Sequence, residues 1–546
     1  MGASGLPASP RPSRKCPRPS AFLLAVWVSV VLLFRRPVSP ISSAGGRLRL
    51  IDYLYRGLAH GPSAIAIAGP CAPLTYRELV SVVEALAADL QSLDTTPGSA
   101  VGICARNTPE HLIALLATYA AGKVWVPLNP RNGRTELDAM IGVTKPTILV
   151  ADESCIDRFS PTEARLVMAK PEVTSRAMSV ASLVDAFRGK KPVTVERGPE
   201  EAQIIKFSGG STGSPKAVVQ SLRCVEAQAR GLLEFFDFNA ADANLIAAPL
   251  THGTSCFVLP ILAAGGRHVL LEDPKPRAIV EQLHDHAIST LYAPPTMIYS
   301  LLGESSTRHR PFPSLRHLIY SAAPMSPARI REAQRVFGPV VETAYGQVEA
   351  PQIITAMRAD ELVREENLES VGRQSSVVTV AIMTSDGAEL PAGEVGEIVV
   401  QGPLVMSGYL DRPELTAQTI VDGWLHTGDL GYIDERGYLF IRGRLREVIN
   451  SGGFKVFPAD VESTLARHPA VAECCVFGVE DAKWGEAVHA AVRLAPGAHV
   501  EASELIDFVK RELDSVKAPK RIYFLSELPR NAAGKVSRGA VKALIA

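Results

Sequence analysis

The sequence predicts an α/β fold in which helices cover a parallel sheet, followed by antiparallel strands and a small α+β unit. Short apolar runs alternate with helical patterns up to about Ser375, and hairpin patterns replace them after that position. The last part of the chain combines strands with an amphipathic helix. Strand–helix alternation of this kind is typical of parallel sheets covered by helices. A chain of 546 residues also favours two or more domains.

The first helix of this alternation is predicted to begin at a capping box, Thr75 with Glu78. Its apolar positions follow helical spacing: Leu79, Val83, Leu86 and Leu90. A strand at "AVGICA", a helix at "PEHLIALLATYAAG" and a strand at "KVWVPLN" come next. Beyond a charged stretch, roughly residues 152–200, four further strands are predicted: "ANLIAAP", "HVLLE", "TLYAPP" and "LRHLIYSAA".

Antiparallel hairpins are predicted in the next part of the chain, because glycine and aspartate stand at the turns between apolar runs. The two hairpins are "VVTVAIMTSDGAELPAGEVGEIVVQG" and "GYIDERGYLFIRGR". The final unit is predicted to contain the strands "VAECCVFGV", "HAAVRLA" and "RIYFLSELP" and the helix "ASELIDFVKREL".

The composition argues against some classes of function. Lys+Arg and Asp+Glu both total 57, so no basic field indicates nucleic-acid binding. The eight cysteines form no C-x-x-C pair and no metal-ligand spacing, so we expect reduced thiols in an intracellular protein. Adjacent Cys474 and Cys475 would point to opposite faces of a strand, which makes them poor joint ligands.

Residues 1–46 are predicted to form an extension outside the folded core, because they are rich in Pro, Ser and basic residues. The apolar run 21–34 is shorter than the roughly 20 residues that a membrane span needs. Three interpretations stay open: a membrane anchor, a targeting segment, or an extension that results from an early start codon. We expect a cytoplasmic protein, with peripheral or N-terminally anchored membrane association as the alternative.

The stretch "IIKFSGGSTGSPKAVVQS" combines glycines, hydroxyl residues and a lysine after an apolar run. It is not a Walker A loop, because Pro215 precedes Lys216 and Ala217 follows it. Glycines let the backbone approach a polyphosphate, and free N–H and hydroxyl groups can bind its oxygens. The pattern indicates a phosphate loop, with a mobile surface loop as the alternative.

Five further motifs follow this loop in order: "SAAPM", "AYGQVEA", "GWLHTGD", "GRLREVINSGGFKVFPADVE" and "PRNAAGKVSR". From about Leu50 onward the chain resembles the adenylate-forming enzymes, which include acyl-CoA synthetases, firefly-type luciferases and nonribosomal-peptide adenylation domains. The resemblance implies a large N-terminal AMP-binding domain of layered α/β sheets with a small β-barrel-like subdomain, residues 47–443. It also implies a small mobile α+β C-terminal domain, residues 444–546, with a hinge near Arg446.

The resemblance further implies how the chain binds ATP and coenzyme A. Tyr345 would lie against the adenine, Asp429 would hold the ribose hydroxyls, and Arg444 would be a second ribose or phosphate contact. The other predicted contacts are Ser208, Gly209, Gly210, Ser211, Thr212, Gly213, Lys216, Ser321, Ala322, Ala323, Ala344, Gly346, Gly452 and Gly453.

Lys535 is the residue that the resemblance places between the substrate carboxylate and the α-phosphate. An ammonium there would neutralise the negative charge that accumulates in the transition state. Thr212, Lys216 and Glu349 would assist catalysis, and Glu349 and Thr212 would bind Mg²⁺. A turn about the hinge would then withdraw Lys535 and present the glycine pair of "NSGGF" to the thiol.

Three positions depart from the family pattern. Val348 replaces a usual threonine whose hydroxyl would donate to the nucleotide phosphate, so we expect weaker adenylate binding or slower turnover. Gly209 replaces a usual serine, and Arg446 stands where the hinge is usually Asp or Lys. These changes leave room for a catalytically weakened homologue.

The acid-binding region is predicted at "PLTHGTSCFVLP", which contains no acidic residue and no arginine. An uncompensated substrate ammonium would be costly there, which argues against an amino acid. The candidate substrate contacts are His252, Phe257, Leu259, Gln347 and Ala350. We expect a neutral, apolar monocarboxylic acid, fatty or aromatic, and no carrier domain after Lys535.

Taken together, the residues and the resemblance predict an ATP-dependent acid–CoA ligase that forms an acyl-adenylate. Its small-molecule partners would be the acid, ATP with Mg²⁺, and CoA. One alternative is an adenylating enzyme that passes the acyl group to a carrier protein or to oxygen. Another is a membrane-tethered nucleotide-binding protein without catalysis.

Overall fold

A computed structural model describes residues 48–69, 72–170, 178–208, 215–308, 310–530 and 536–545 of the chain. Across these ranges the strands form four sheets, of nine, seven, five and five strands. The fold is mixed α/β, with a large N-terminal part and a small C-terminal part, as the sequence predicts.

The described strands, numbered in chain order, are β1 (Ile65–Ala68), β2 (Leu74–Thr75), β3 (Ala100–Cys104), β4 (Val124–Pro127), β5 (Ile148–Ala151), β6 (Arg165–Met168), β7 (Ala202–Ser208), β8 (Lys216–Ser221), β9 (Ala243–Ile246), β10 (Arg267–Leu270), β11 (Thr290–Ala293), β12 (His317–Tyr320), β13 (Val341–Tyr345), β14 (Thr355–Met357), β15 (Arg373–Gln374), β16 (Thr379–Met383), β17 (Gly396–Gln401), β18 (Gly408–Tyr409), β19 (Ile420–Val421), β20 (Trp424–Ile433), β21 (Leu439–Arg444), β22 (Ile449–Ser451), β23 (Phe454–Val456), β24 (Val471–Asp481), β25 (Gly485–Leu494) and β26 (Arg521–Phe524).

The described α-helices are α1 (Asp52–His60), α2 (Tyr76–Leu93), α3 (Pro109–Ala120), α4 (Arg134–Thr144), α5 (Glu153–Ile156), α6 (Val180–Ala186), α7 (Leu222–Phe236), α8 (Val258–Ala263), α9 (Pro276–Asp285), α10 (Pro295–Gly303), α11 (Pro327–Phe337), α12 (Ala359–Leu362), α13 (Pro413–Thr419), α14 (Pro458–Ala466), α15 (Ala502–Glu512) and α16 (Arg538–Ile545). Short 3₁₀ helices lie at Gly253–Phe257, Ser305–Arg308, Glu365–Asn367 and Leu445–Glu447.

The local sequence signals act as predicted. The Thr75 hydroxyl accepts the Glu78 N–H, and the Glu78 carboxylate accepts the Thr75 N–H, so α2 begins at the predicted capping box. Its predicted apolar positions are buried. Helix α3 gives way to β4 at Gly122, whose φ of 68° is a conformation that glycine adopts readily.

The predicted alternation builds two sheets rather than one. The seven-stranded sheet runs β18-β8-β7-β4-β3-β5-β6 and the nine-stranded sheet runs β15-β14-β13-β12-β11-β9-β10-β1-β2. Strands β11, β12 and β13 pair in parallel, so their carboxyl ends meet at one edge. The hairpin β7–β8 is antiparallel and pairs Ser208 with Lys216. The two edges that carry the predicted motifs therefore come from different sheets.

Both predicted hairpins belong to one five-stranded sheet, and the strands predicted for the final unit belong to the other. β16, β17, β19, β20 and β21 make an antiparallel subdomain, and β22 to β26 make the C-terminal sheet. The C-terminal unit has its own core, which includes Val476, Val488 and Leu505. Cys474 packs against this core, whereas Cys475 belongs to a second cluster with Leu528, so the two thiols point to opposite faces as predicted.

In the part of the chain that the structure describes, no helix has the length and apolar character of a membrane span. The apolar run 21–34 lies outside the described residues. The six cysteines in the described ranges are free thiols.

Candidate active site

The predicted phosphate loop joins the two strands of the β7–β8 hairpin. Residues 209–214 lie outside the described residues, so the predicted contacts Gly209, Gly210, Ser211, Thr212 and Gly213 are not placed. The ends of the loop are described: Ser208 closes β7 and Lys216 opens β8.

Tyr409 connects the loop to the predicted metal ligand. The Lys216 ammonium lies 5.3 Å from the centre of the Tyr409 ring, and the Tyr409 hydroxyl donates to Glu349 Oε1 at 3.0 Å. Burial, with the Glu349 carboxylate as the next cause, raises the pKa of Tyr409. The phenol therefore stays protonated and donates to the carboxylate. The Gln220 amide also donates to the Val348 carbonyl at 2.8 Å.

Asp429 is the centre of a second polar cluster and is buried. Its Oδ2 accepts from the Tyr345 hydroxyl at 2.7 Å and from the Gln347 amide at 2.6 Å. Its Oδ1 lies 3.2 Å from Arg444 Nε. Asp429 and Arg444 face each other because β20 and β21 pair them directly. Burial, followed by the Asp429 charge, raises the pKa of Tyr345, so its hydroxyl remains a donor.

The strand ends beside Tyr345 carry the "SAAPM" motif. Ser321, Ala322 and Ala323 follow β12, which pairs in parallel with β13, and β13 ends at Ala344 and Tyr345. Ala322 has a φ of 76°, a strained conformation for a residue other than glycine. Strain of this kind clusters at functional sites.

Gly346 directly follows Tyr345 and has little room for a side chain. A Cβ on this residue would lie 2.4 Å from the Gln352 nitrogen. Any larger residue would therefore displace the chain next to the Asp429 cluster.

Of the predicted acid-binding residues, His252 has a polar neighbour, whereas Phe257, Ala350 and Leu259 are buried. His252 precedes the 3₁₀ helix Gly253–Phe257, and its Nδ1 lies 2.9 Å from the Thr251 hydroxyl. Phe257 is buried in an aromatic cluster of Phe236, Phe238 and Tyr292. Ala350 and Leu259 are also buried, and Leu259 lines a small cavity between β7 and the segment after His252.

The Gln347 amide, predicted as a substrate contact, donates to Asp429 Oδ2 and to the Thr427 carbonyl. Tyr409 and Lys206 were not predicted as site residues. For Lys206 a signal was present: it is a charged residue inside the apolar run of β7, "AQIIKFS". Tyr409 lies 60 positions from its partner Glu349, and no sequence pattern connects the two.

The C-terminal unit supplies the predicted glycine pair. Gly452 and Gly453 form the turn between β22 and β23, with φ of 61° and 85°. The Gly452 N–H donates to the Trp484 carbonyl at 2.8 Å, and a Cβ on Gly452 would lie 2.7 Å from the indole. Arg446 lies in the 3₁₀ helix Leu445–Glu447. Lys535 lies outside the described residues; Arg530 and Val536, on either side of that gap, are bridged to each other.

Comparison with known proteins identifies the family of the chain. The family described as AMP-binding enzyme matches residues 55–410, and the AMP-binding enzyme C-terminal domain matches residues 460–535. A medium/long-chain-fatty-acid–CoA ligase (FadD8) of Mycobacterium tuberculosis is 31% identical over 86% of this chain and 85% of its own length. A feruloyl-CoA synthase of an Amycolatopsis species is 33% identical over 88% of this chain and 96% of its own length.

Among solved structures, the amide bond synthetase McbA of Marinactinospora thermotolerans superposes with a TM-score of 0.83. It is 30% identical, and the match covers 91% of this chain and 100% of that one. The similarity extends over both the large and the small part of the fold. The chain therefore belongs to the AMP-binding enzyme family, the adenylate-forming enzymes that its motifs resemble.

Proposed function

We propose that the chain is an ATP-dependent carboxylic acid–CoA ligase that acts through an acyl-adenylate. One observation carries the proposal: the strand after the phosphate loop and the "AYGQVEA" segment meet in one place. The Gln220 amide donates to the Val348 carbonyl, and Tyr409 contacts both Lys216 and Glu349. Motifs from two sheets thus lie side by side, an arrangement that supports binding of one ATP molecule across both of them.

In this proposal the Asp429 cluster binds the nucleoside. A carboxylate can accept two hydrogen bonds from a vicinal diol, and Asp429 is held for this by Arg444 on one oxygen. Tyr345 and Gln347 hold the other oxygen. The burial of this carboxylate strengthens its hydrogen bonds to the ribose.

Lys216 and Glu349 lie on the phosphate side of the proposed cleft. The carboxylate of Glu349 is a hard oxygen ligand of the kind that Mg²⁺ takes together with substrate phosphates. In the described ranges no cluster of three or more His, Cys, Asp or Glu side chains could hold a metal ion. The ion would neutralise charge on the phosphates when bound. Lys216 adds a fixed positive charge beside them.

The second half-reaction is proposed to use the C-terminal unit. Lys535 neutralises the charge between carboxylate and α-phosphate in the first half-reaction, and a turn at Arg446 then exchanges it for the Gly452–Gly453 turn. These glycines leave a narrow edge beside Trp484 that suits a thin thiol-bearing arm. The domain boundary near residue 444 is part of this proposal.

We propose a largely apolar acid as the substrate. Apolar side chains make up most of the wall of the small cavity behind His252: Leu115, Tyr119, Ile204, Val225, Val258 and Leu259. The relatives named above act on a fatty acid and on the aromatic acid ferulate according to their names, which is consistent with either kind of acid. The similarity to an amide bond synthetase favours transfer to an amine as the second candidate.

The test is a screen of fatty and aromatic acids with ATP, read out as pyrophosphate release with and without CoA. We expect acid-dependent pyrophosphate release and the formation of acyl-CoA and AMP. Product release that does not depend on CoA, or that needs an amine, would favour the second candidate. Absence of acid-dependent pyrophosphate exchange across the panel would contradict adenylation altogether.

A further inference from the structure

Lys206 is a buried lysine on β7, the strand that leads into the phosphate loop. Only 8% of its surface is exposed. Its ammonium donates to the Ser255 hydroxyl at 2.9 Å and to the His252 carbonyl at 3.4 Å, and it lies 5.3 Å from the Trp125 ring centre. No carboxylate pairs with it in the described ranges, and burial lowers its pKa. A buried cation without a carboxylate is costly, so its position calls for a reason.

Lys123, which directly precedes β4 of the same sheet, provides the comparison. It is also buried, but its ammonium lies 3.4 Å from the Asp94 carboxylate and 2.7 Å from the Ser99 hydroxyl. Lys123 therefore has the partner that a structural buried lysine needs. Lys206, by contrast, donates hydrogen bonds among the described residues only to neutral oxygen atoms, those of the Ser255 hydroxyl and the His252 carbonyl.

Lys206 lines a cavity of about 10 Å³ together with Trp125, Gln228 and Ser255. We call the cavity that these residues and their apolar neighbours line the donor-rich cavity. The Ser255 hydroxyl donates its hydrogen bond to the His252 carbonyl, and the Gln228 amide donates to the Cys256 carbonyl. The Trp125 indole N–H is fully buried and has no acceptor among the described residues. An ammonium carries three donors, so this cavity has more donors than acceptors.

We propose that the donor-rich cavity is the inner end of the acid site, where it binds one oxygen of the substrate remote from the reacting carboxylate. The inference rests on the proposed ligase function and narrows its substrate class. A volume near that of one water fits a single carbonyl or hydroxyl oxygen better than a second carboxylate. The substrate is thus an apolar acid with one distal oxygen, held by Lys206 and Trp125.

The experiment compares matched acids in pyrophosphate release: 3-(4-hydroxyphenyl)propanoate against 3-(4-methylphenyl)propanoate, and 7-oxooctanoate against octanoate. Nonanedioate tests a distal carboxylate. We expect kcat/KM for at least one oxygenated acid to exceed that of its partner 10-fold or more, because a site built to donate hydrogen bonds rejects an analogue without an acceptor. Nonanedioate is expected to react more slowly than 7-oxooctanoate.

Lys206→Met removes the charge and keeps the length of the side chain. We expect it to abolish the preference, because kcat/KM for the oxygenated acid falls to the value for its apolar partner, and its melting temperature should match or exceed that of the unmodified protein. Lys275→Met makes the same change at an exposed position and should keep the preference.

Equal kcat/KM for both members of both pairs, or a preference that survives Lys206→Met, would overturn the inference and leave the ligase proposal intact. If nonanedioate reacts faster than 7-oxooctanoate, the distal group is a carboxylate and the single-oxygen inference is wrong. If no acid causes pyrophosphate release, the proposed function itself fails, and the inference fails with it.

Discussion

The nucleotide side and the acyl side of the candidate site carry their charges in different ways. On the nucleotide side, Asp429 forms an ion pair with Arg444, and Glu349 accepts a hydrogen bond from the Tyr409 hydroxyl. On the acyl side, Lys206 faces only neutral groups in the described ranges. ATP is the same in every reaction cycle, so the protein itself can hold the charged groups that bind it in place. The acid is the ligand that differs between family members, and hydrogen-bond donors without an acceptor imply that the acid supplies the acceptor. Four predictions test this difference, from the largest expected effect to the smallest.

The largest effect is expected at Lys535, which we assign to the chemistry on the nucleotide side. Lys535→Ala should lower the rate of adenylation by about 10² to 10³, since a placed charge in a transition state contributes roughly 3 kcal/mol or more. Thioester formation from pre-made acyl-AMP should continue, because the lysine is withdrawn for that step. Single-turnover assays of the two half-reactions measure this, and equal loss of both would refute the assigned role.

The second-largest effect is expected from Asp429→Asn, which should weaken ATP binding. Loss of the charge that Arg444 and the ribose share should raise KM for ATP about 10- to 100-fold, in line with about 1.5–3 kcal/mol for a hydrogen bond to a charged group. KM for the acid should change little. Asp386→Asn, at an exposed turn, serves as the matched control. A variant whose KM for acid rises as much as its KM for ATP would contradict the separation of the two sides.

The third prediction is that acid destabilises the folded protein through His268, a buried histidine near the acyl side of the site. His268 lies between Asn244 Nδ2 and the carbonyl of Val258, which lines the donor-rich cavity, and burial lowers its pKa to about 4. Above the ordinary pKa of 6.5 the folded and unfolded states are both neutral, so stability is unaffected. As pH falls from 6.5 to 4 only the unfolded state takes up the proton, which destabilises the fold by up to about 3 kcal/mol.

Denaturant unfolding of the unmodified protein and of His268→Gln at pH 7 and pH 4 checks this. The difference in stability between the two proteins should shrink or reverse at pH 4, because the variant has no proton to exclude. His60→Gln, at an exposed position, is the control. A difference that stays constant with pH would mean that His268 does not titrate as described.

The smallest effect is expected from Val348→Thr, which restores the residue that is usual in the family. A new hydroxyl next to the phosphates should increase ATP affinity or turnover by up to about 10-fold, near the lower end of the value for a hydrogen bond to a charged group. Val348 keeps its carbonyl bond to Gln220 in the variant, so the fold should not change. No gain in affinity or rate would indicate that another donor already serves the phosphate.

Prediction from sequence was most successful where the signal is local. The capping box of Thr75, the strands of the alternation and both antiparallel hairpins lie where the patterns placed them. The family resemblance supplied Tyr345, Asp429 and Arg444, which the structure brings into contact. The family resemblance implied layered sheets, but the alternation itself did not reveal how its strands divide between them, because the pattern of one strand does not specify which strand it pairs with.

The sequence by itself determined the family and most of the secondary structure, and it supplied the motifs to which we assign nucleotide binding, since these depend on residue type and short spacing. Only the tertiary structure decided that Gln347 holds Asp429, that Tyr409 joins Lys216 to Glu349, and that Lys206 lies without a carboxylate among the described residues. The reason is physical. Burial and pairing are properties of the space between elements, and a charge in an apolar strand acquires a partner, or lacks one, only when distant segments close around it.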